Sequence, residues 1–106
     1  MAVMERIRAE LEAHPVVLYM KGTPEVPMCG YSKRAVDALR AAGAVRLHAV
    51  NVMADPEVRA NLPRYADWPS FPQLYVQGEL IGGADIVVEL AEAGELARIV
   101  AEAQAS

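Results

Sequence analysis

The chain has 106 residues, of which 54% are apolar, and this is the size of one small domain with enough apolar side chains for a core. Ten lysine and arginine residues against fourteen acidic ones give a net charge of −4, which argues against a general nucleic-acid binder, because such proteins present a basic face. No apolar run approaches the roughly 18 residues that a membrane-spanning helix needs. We therefore predict one domain over residues 1–106, with no nucleic acid and no membrane among its partners.

The N-terminal segment, MAVMERIRAELEAHP, does not have the features of a targeting sequence. It lacks the apolar stretch of a signal peptide, and its three glutamates count against an organelle transit peptide. The single cysteine, Cys29, cannot form a disulfide within the chain, which favours a reducing compartment. The cytoplasm is therefore the expected location.

The first segment of the chain predicts a helix followed by a buried strand. Val3, Ile7 and Leu11 recur at helical spacing, which predicts a helix over residues 3–13 that a proline ends. The β-branched run VVLYM, residues 16–20, suits a strand that is buried on both faces. A loop rich in proline and glycine, KGTPEVP, then leads to the cysteine.

The middle of the chain predicts two helices with a strand between them. Apolar residues at helical spacing predict a helix that starts near Tyr31 or Ser32 and ends at Gly43. The segment RLHAVNV, residues 46–52, alternates well enough to be a strand. Asp55 is a candidate N-cap with proline directly after it, which predicts a third helix, and Pro63 limits how far that helix can run.

The C-terminal part predicts a hairpin and two helices. The segment QLYVQGELIGG indicates strands near residues 73–76 and 79–82. A helical stretch begins at Asp85, and Gly94 separates it from the final helix. A strand-helix-strand start implies a parallel pair of strands, and the hairpin adds antiparallel ones. We therefore predict an α/β fold, a mixed four-stranded sheet with helices on both faces.

Cys29 lies where the proline-rich loop meets the second helix, and free amides and the helix dipole stabilise a thiolate at such a place. Lys21, Lys33 and Arg34 add positive charge, and such surroundings lower the pKa of a cysteine below its ordinary value. The alternative is a small apolar residue that fills a gap. We favour the reactive thiol. Ser32 is either a weak hydrogen-bond partner of the thiolate or a structural residue, and we favour the structural interpretation.

Two further stretches have the composition of a ligand-binding surface. In WPSFPQLYV, a cis Phe71–Pro72 bond would expose the backbone of Phe71 to a ligand, although a trans bond is far commoner. In GGADI, two glycines allow a close approach of the backbone, and Asp85 opens a helix whose amides can bind a carboxylate. Taken alone, the second stretch is better explained as a tight turn with Asp85 as the N-cap.

The chain resembles the monothiol glutaredoxins, and more specifically the single-domain bacterial form of the Cys-Gly-Phe-Ser class, in its strings YMKGTPEVPMCGYS and WPSFPQLYVQGELIGGADI. The resemblance covers nearly the whole chain, and the loop TPEVP before the cysteine separates this class from dithiol glutaredoxins. It implies a thioredoxin-like fold with a cis bond before Pro72. Two positions depart from the class: Tyr31 replaces the usual phenylalanine, and Ala84 stands where many relatives carry cysteine.

The resemblance also implies a glutathione-binding groove. The residues that it assigns to glutathione are Lys21, Arg59, Phe71, Pro72, Ala84 and Asp85. Lys21 and Arg59 would pair with the glycine carboxylate. Phe71, with its backbone amide and carbonyl, would hold the cysteinyl part, and Ala84 with Asp85 would take the γ-glutamyl end. Cys29 would lie where the glutathione sulfur arrives, as catalytic thiol and as metal ligand.

For function, the resemblance implies a carrier of a [2Fe–2S] cluster in iron–sulfur cluster biogenesis and iron homeostasis. Such a cluster normally takes four ligands. A homodimer would supply two Cys29 thiolates and two bound glutathiones would supply the rest, with apo iron–sulfur acceptor proteins and a BolA-like protein as partners. The alternative is a glutathione-dependent monothiol oxidoreductase acting on protein mixed disulfides. The class resemblance implies at most weak activity of that kind.

Overall fold

The computed structural model describes residues 2–105, so the two terminal residues of the predicted domain lie outside the described part. Helices and strands alternate along the chain at first, and a hairpin and two helices follow. In chain order the elements are α1 Val3–Ala13, β1 Val16–Met20, α2 Gly30–Ala41, β2 Leu47–Asn51, a 3₁₀ turn Val52–Ala54, α3 Pro56–Tyr65, β3 Gln73–Val76, β4 Glu79–Gly82, α4 Ala84–Glu92 and α5 Glu95–Gln104.

The four strands form one mixed sheet in the order β2-β1-β3-β4. β1 and β2 run parallel, with Val16 opposite Leu47 at one end and Met20 opposite Asn51 at the other. β3 runs antiparallel to β1, and the hairpin places β4 antiparallel to β3. The predicted mixed four-stranded sheet is confirmed.

Side chains of the central strands alternate between two apolar cores, one on each face of the sheet. Val16, Leu18 and Met20 of β1 pack into one core, while Val17 and Tyr19 pack into the other. α2, α4 and α5 supply the helical side chains of the first core, and α1 and α3 supply those of the second, while β3 contributes to both. The prediction of a strand buried on both faces, with helices on both sides of the sheet, is therefore confirmed.

The observed boundaries differ in small ways from those predicted. β2 is one residue shorter at each end than the predicted strand 46–52. α2 begins at Gly30, because Cys29 is its N-cap, rather than near Tyr31 or Ser32. Pro63 lies inside α3, and the helix continues two residues further, to Tyr65.

The start of α4 corrects another prediction. Its N-cap is Gly83, which has no side chain to cap the helix, and Asp85 is the second residue inside the helix. The prediction of Asp85 as an N-cap is therefore wrong, and its carboxylate is directed to another partner. Within residues 2–105, no helix has the length and the apolar character that crossing a membrane requires.

Candidate functional site

The thiol of Cys29 caps the N-terminus of α2. Its Sγ accepts a hydrogen bond from the backbone amide of Ser32 at 3.3 Å. The Ser32 hydroxyl lies at the same distance, 3.3 Å, from the sulfur. That hydroxyl also accepts a hydrogen bond from the backbone amide of Lys21 at 3.1 Å, so its own proton is available to a thiolate. The interpretation of Ser32 as only structural is therefore wrong, since this buried serine is the main polar partner of the thiol.

The surroundings of Cys29 lower its pKa. Partial burial raises the pKa, but hydrogen bonds from the side chain and backbone of Ser32 and from the backbone of Tyr31, with the charge of Lys21, outweigh it. The pKa therefore lies below the ordinary value of 9.0. A lowered pKa increases the thiolate fraction, and the thiolate is the form that attacks disulfides and binds metals.

Of the three cations predicted to act on the thiol, Lys21 is among the main causes that lower its pKa. Lys33 Nζ lies 2.7 Å from the carboxylate of Asp37. Arg34 Nη2 lies 2.9 Å from the carboxylate of Asp85. Lys33 and Arg34 are thus each paired with a carboxylate, which offsets part of their charge, and their effect on the thiol stays a prediction.

The loop before the cysteine is ordered by its own backbone hydrogen bonds. Thr23 and Val26 exchange amide-to-carbonyl bonds of 3.1 Å in both directions. The amide of Met28 donates to the carbonyl of Lys21 at 2.9 Å, which closes the loop at its base. The base also includes Gly22, whose amide donates to the side chain of Asn51 at 3.0 Å. These bonds fix the approach of the chain to Cys29.

A groove of about 740 Å³ runs beside this thiol. All six residues that the resemblance assigns to glutathione line it: Lys21, Arg59, Phe71, Pro72, Ala84 and Asp85. Cys29 is outside the lining, but Tyr31, two residues further along α2, belongs to it. The structure thus brings together residues from the end of β1 to the start of α4, which are more than half the chain apart.

The two cations of the groove lack carboxylate partners within the described residues. Lys21 follows β1 and Arg59 lies on α3, and neither forms an ion pair with any of residues 2–105. Such unpaired cations are suited to bind an anionic group of a ligand. On the other side, α4 directs its uncapped N-terminus to the groove through Ala84 and Asp85, which adds partial positive charge.

The segment between α3 and β3 forms one wall of the groove, and its Phe71–Pro72 bond is cis, as the resemblance implies. A buried glutamine behind the wall supports it. Gln73 donates from its amide to the carbonyls of Trp68 at 3.0 Å and Ser70 at 3.2 Å. The hydroxyl of Tyr75 in turn donates to Gln73 at 2.8 Å. This support is not among the predictions from the sequence, although an amide at the start of an apolar strand is a visible signal.

The two histidines lie outside the groove lining. Their rings stack on each other, with the ring centres of His14 and His48 3.7 Å apart. His48 Nε2 also lies 3.1 Å from a carboxylate oxygen of Glu10. Across residues 2–105, no group of three or more His, Cys, Asp or Glu side chains is placed to hold a metal ion.

Comparison with known proteins agrees with this geometry. The glutaredoxin family model matches residues 16–81. Glutaredoxin 4 of Escherichia coli is 48% identical over 102 residues, which cover 96% of this chain and 88% of that protein. Glutaredoxin 4 of Haemophilus influenzae is 46% identical over 105 residues, or 99% of this chain and 97% of that one. The solution structure of reduced poplar apo GrxS14 is similar over 100% of both chains, with a TM-score of 0.83 and 38% identity. The chain therefore belongs to the glutaredoxin family.

Proposed function

We propose that this monothiol glutaredoxin carries a [2Fe–2S] cluster as cargo in cluster biogenesis and iron homeostasis. The cluster is held by the Cys29 thiolates of two chains and by the sulfurs of two glutathiones. The observation that supports this proposal is a lone thiol of lowered pKa at a helix N-terminus, beside a groove with two unpaired cations.

The donor set fits a cluster with ligands from outside the chain. A [2Fe–2S] cluster is normally held by four ligands, most often thiolates. Cys29 is the only cysteine in the sequence, and within residues 2–105 no cluster of acidic and histidine side chains replaces the missing thiols. The partly exposed Cys29 supplies one ligand, so two chains supply two. In this proposal the remaining two are the thiols of glutathione, and small-molecule ligands of that kind make the cargo easy to release.

The charges of the groove match those of glutathione. Glutathione has a carboxylate at each end and an ammonium group at the γ-glutamyl end. Lys21 and Arg59 face its glycine carboxylate, the backbone of Phe71 holds its cysteinyl part, and Ala84 with Asp85 binds the γ-glutamyl end. In this orientation the glutathione sulfur comes next to Cys29, as sharing one iron ion requires.

The partners that we propose are a second copy of this chain, a BolA-like protein and apo iron–sulfur acceptor proteins, all in the cytoplasm. Three large apolar side chains near the thiol are exposed, and they support contacts of this kind: Val26 is 67%, Met28 62% and Tyr31 58% exposed. A BolA-like protein replaces one copy and supplies a histidine or another ligand in place of one thiolate.

Anaerobic reconstitution tests the carrier function. Apo-protein is incubated with iron, sulfide and glutathione, and the product is read by visible absorption, iron and sulfide analysis and native mass. We expect a cluster-bridged dimer with two glutathiones, and no cluster when dithiothreitol replaces glutathione. Cys29→Ser, shown by circular dichroism to be folded, is expected to bind no cluster. A Cys29→Ser protein that holds a stoichiometric cluster would contradict the ligand assignment.

The lowered pKa of Cys29 also favours a second candidate function, a glutathione-dependent oxidoreductase. The Cys29 thiolate attacks the glutathione sulfur of a protein–glutathione disulfide, forms a Cys29–glutathione disulfide and releases the protein thiolate. A second glutathione thiolate then attacks that disulfide, and glutathione disulfide and the Cys29 thiolate are the products. In the net reaction the incoming glutathione thiol is oxidised to the disulfide level and the protein sulfur is reduced to a thiol, while the glutathione sulfur of the substrate stays at the disulfide level.

A turnover assay separates the two functions. Release of glutathione from a glutathionylated peptide is measured with apo-protein in the presence of glutathione and glutathione reductase. For a carrier we expect slow turnover together with stoichiometric cluster binding. Rapid turnover by the wild type but not by Cys29→Ser, with no cluster formed in the reconstitution, would establish the enzyme instead.

A further inference from the structure

An ion pair joins the two helices that meet at the rim of the groove. Arg34 of α2 and Asp85 of α4 lie 2.9 Å apart, from Nη2 to Oδ1. Both side chains remain accessible, since Arg34 is 49% and Asp85 77% exposed. The guanidinium also lies over the ring of Tyr31, 5.6 Å from its centre. Tyr31 and Asp85 both line the groove, so Arg34 is held between two residues of the binding surface.

We propose that Arg34 is a specificity residue of the groove, which binds the α-carboxylate of the γ-glutamyl end while Asp85 binds its α-ammonium. This proposal rests on the proposed binding of glutathione and adds a residue that the resemblance does not assign. The γ-glutamyl end has both charges on one carbon atom. A guanidinium and a carboxylate side by side present the complementary pair of charges.

The energetics of the ion pair allow this exchange. An exposed ion pair in water contributes little to stability, so opening it for a ligand costs little. When the γ-glutamyl end binds, Arg34 exchanges the carboxylate of Asp85 for the α-carboxylate of the ligand. Asp85 likewise exchanges the guanidinium of Arg34 for the α-ammonium of the ligand. The uncapped amides at the start of α4 also face this end of the groove and favour the same carboxylate.

Tyr31 holds the guanidinium in place for this role. A cation over an aromatic face is attracted by the electron density of the ring, and arginine stacks there with its donors still free at its edge. Lys33, the neighbouring cation, is directed to Asp37 on its own helix instead. Arg34 lies outside the groove lining but contacts two of its residues, whereas the ion pair of Lys33 is with Asp37, so Lys33 is the matched control.

Binding of glutathione and of two analogues to the full-length apo-protein tests the proposal. Glutaryl-cysteinylglycine lacks only the α-ammonium, and 4-aminobutanoyl-cysteinylglycine lacks only the α-carboxylate. Dissociation constants are measured by calorimetry under reducing conditions for the wild type, Arg34→Gln, Arg34→Lys and Lys33→Gln. Circular dichroism and thermal unfolding establish that each variant is folded.

We expect Arg34→Gln to weaken the binding of glutathione and of glutaryl-cysteinylglycine by about two- to five-fold. The dissociation constant of 4-aminobutanoyl-cysteinylglycine does not change in this variant, because that ligand has no α-carboxylate for Arg34 to bind. Arg34→Lys is intermediate, since it keeps the charge but loses the planar fork. Lys33→Gln binds all three ligands as the wild type does.

Several results overturn the proposal. If Arg34→Gln binds glutathione as tightly as the wild type, or weakens all three ligands equally, Arg34 does not bind the carboxylate. If Arg34→Gln binds glutathione more tightly, Arg34 only competes for Asp85. In these cases the glutathione groove itself stands. If the wild type binds none of the three ligands, both the groove assignment and the role of Arg34 are wrong.

Discussion

The hydroxyl of Ser32 lies 3.3 Å from the sulfur of Cys29, at the position where a dithiol site has its second cysteine. The serine is fully buried, and its amide donates to the same sulfur. It therefore contacts the thiol as a second cysteine does, but it cannot form a disulfide with it. The arrangement keeps a stabilised thiolate permanently available to an external partner.

We expect Ser32→Ala to raise the pKa of Cys29, because the variant loses the hydroxyl that donates to the thiolate and keeps only the amide. The pH dependence of alkylation by iodoacetamide measures this pKa directly. Ser70→Ala is the matched control, since it removes a hydroxyl from the groove lining at a distance from the thiol in sequence. An unchanged alkylation profile in Ser32→Ala would show that the hydroxyl does not act on the thiolate.

The same lowered pKa predicts how the stability of the fold depends on pH. A thiol whose pKa is lower in the folded chain contributes stability above its unfolded value, ordinarily 9.0, and this is lost as pH falls through the folded value. The free energy of unfolding of the wild type, relative to Cys29→Ala, is therefore expected to rise with pH across that window. Urea unfolding from about pH 6 to about pH 10 measures the difference. A difference that falls with rising pH would refute the assignment.

Most of the fold follows from local patterns in the sequence, but part of the site does not. The run Val16–Met20 has no polar residue, and this alone indicates burial on both faces. Pro63 marks the end of α3 only to within two residues, because a proline near the last turn costs a single backbone hydrogen bond. The contact Arg34–Asp85 joins residues 51 positions apart, and Ser32–Lys21 joins the two ends of the loop between β1 and α2. Only the packing of α2 against α4 and β1 creates them, so no local pattern predicts them.

Lys21→Gln and Arg59→Gln are each expected to weaken glutathione binding about three- to five-fold, since an exposed ion pair contributes roughly 0.6–1 kcal/mol. The effect should shrink at high salt, because screening weakens such pairs. Calorimetric titration measures the affinities. Arg64→Gln, which removes a cation of α3 outside the groove lining, serves as control and should bind normally. Glutathione esterified at its glycine carboxylate should bind the wild type and both variants alike, and a remaining difference would argue against the assigned contact.

Gly22→Ala is expected to destabilise the chain more than Gly43→Ala. Both glycines have left-handed φ angles, +90° and +86°, so alanine costs roughly 1–2 kcal/mol at either position. At Gly22 the added Cβ would also lie 2.4 Å from the carbonyl oxygen of Val26 and 2.6 Å from the amide of Met28, whereas at Gly43 the space is open. This overlap adds about 1–3 kcal/mol and displaces the loop before Cys29.

Urea unfolding measures both free energies, and alkylation of Cys29 reports on the loop. Equal destabilisation by the two substitutions would show that the loop before Cys29 shifts to accommodate the added methyl group with no loss of stability.

Asp55 combines two stabilising contacts that two substitutions can separate. Its carboxylate accepts a hydrogen bond from the amide of Val58 at 3.2 Å, as the N-cap of α3, and pairs with Arg6 of α1 at 2.6 Å. Asp55→Ala loses both contacts and is expected to lower the free energy of unfolding by about 1–2 kcal/mol. Asp55→Asn keeps the cap and loses only the charge, so it should cost about 0.2–1 kcal/mol.

Urea unfolding of the two variants at low and high salt separates these contributions. The cost of Asp55→Asn should fall at high salt, while the further cost of Asp55→Ala should persist, because a cap to a backbone amide is screened far less than an exposed ion pair. If Asp55→Asn is as destabilising as Asp55→Ala under both conditions, the ion pair between α1 and α3 rather than the cap holds this face of the sheet together.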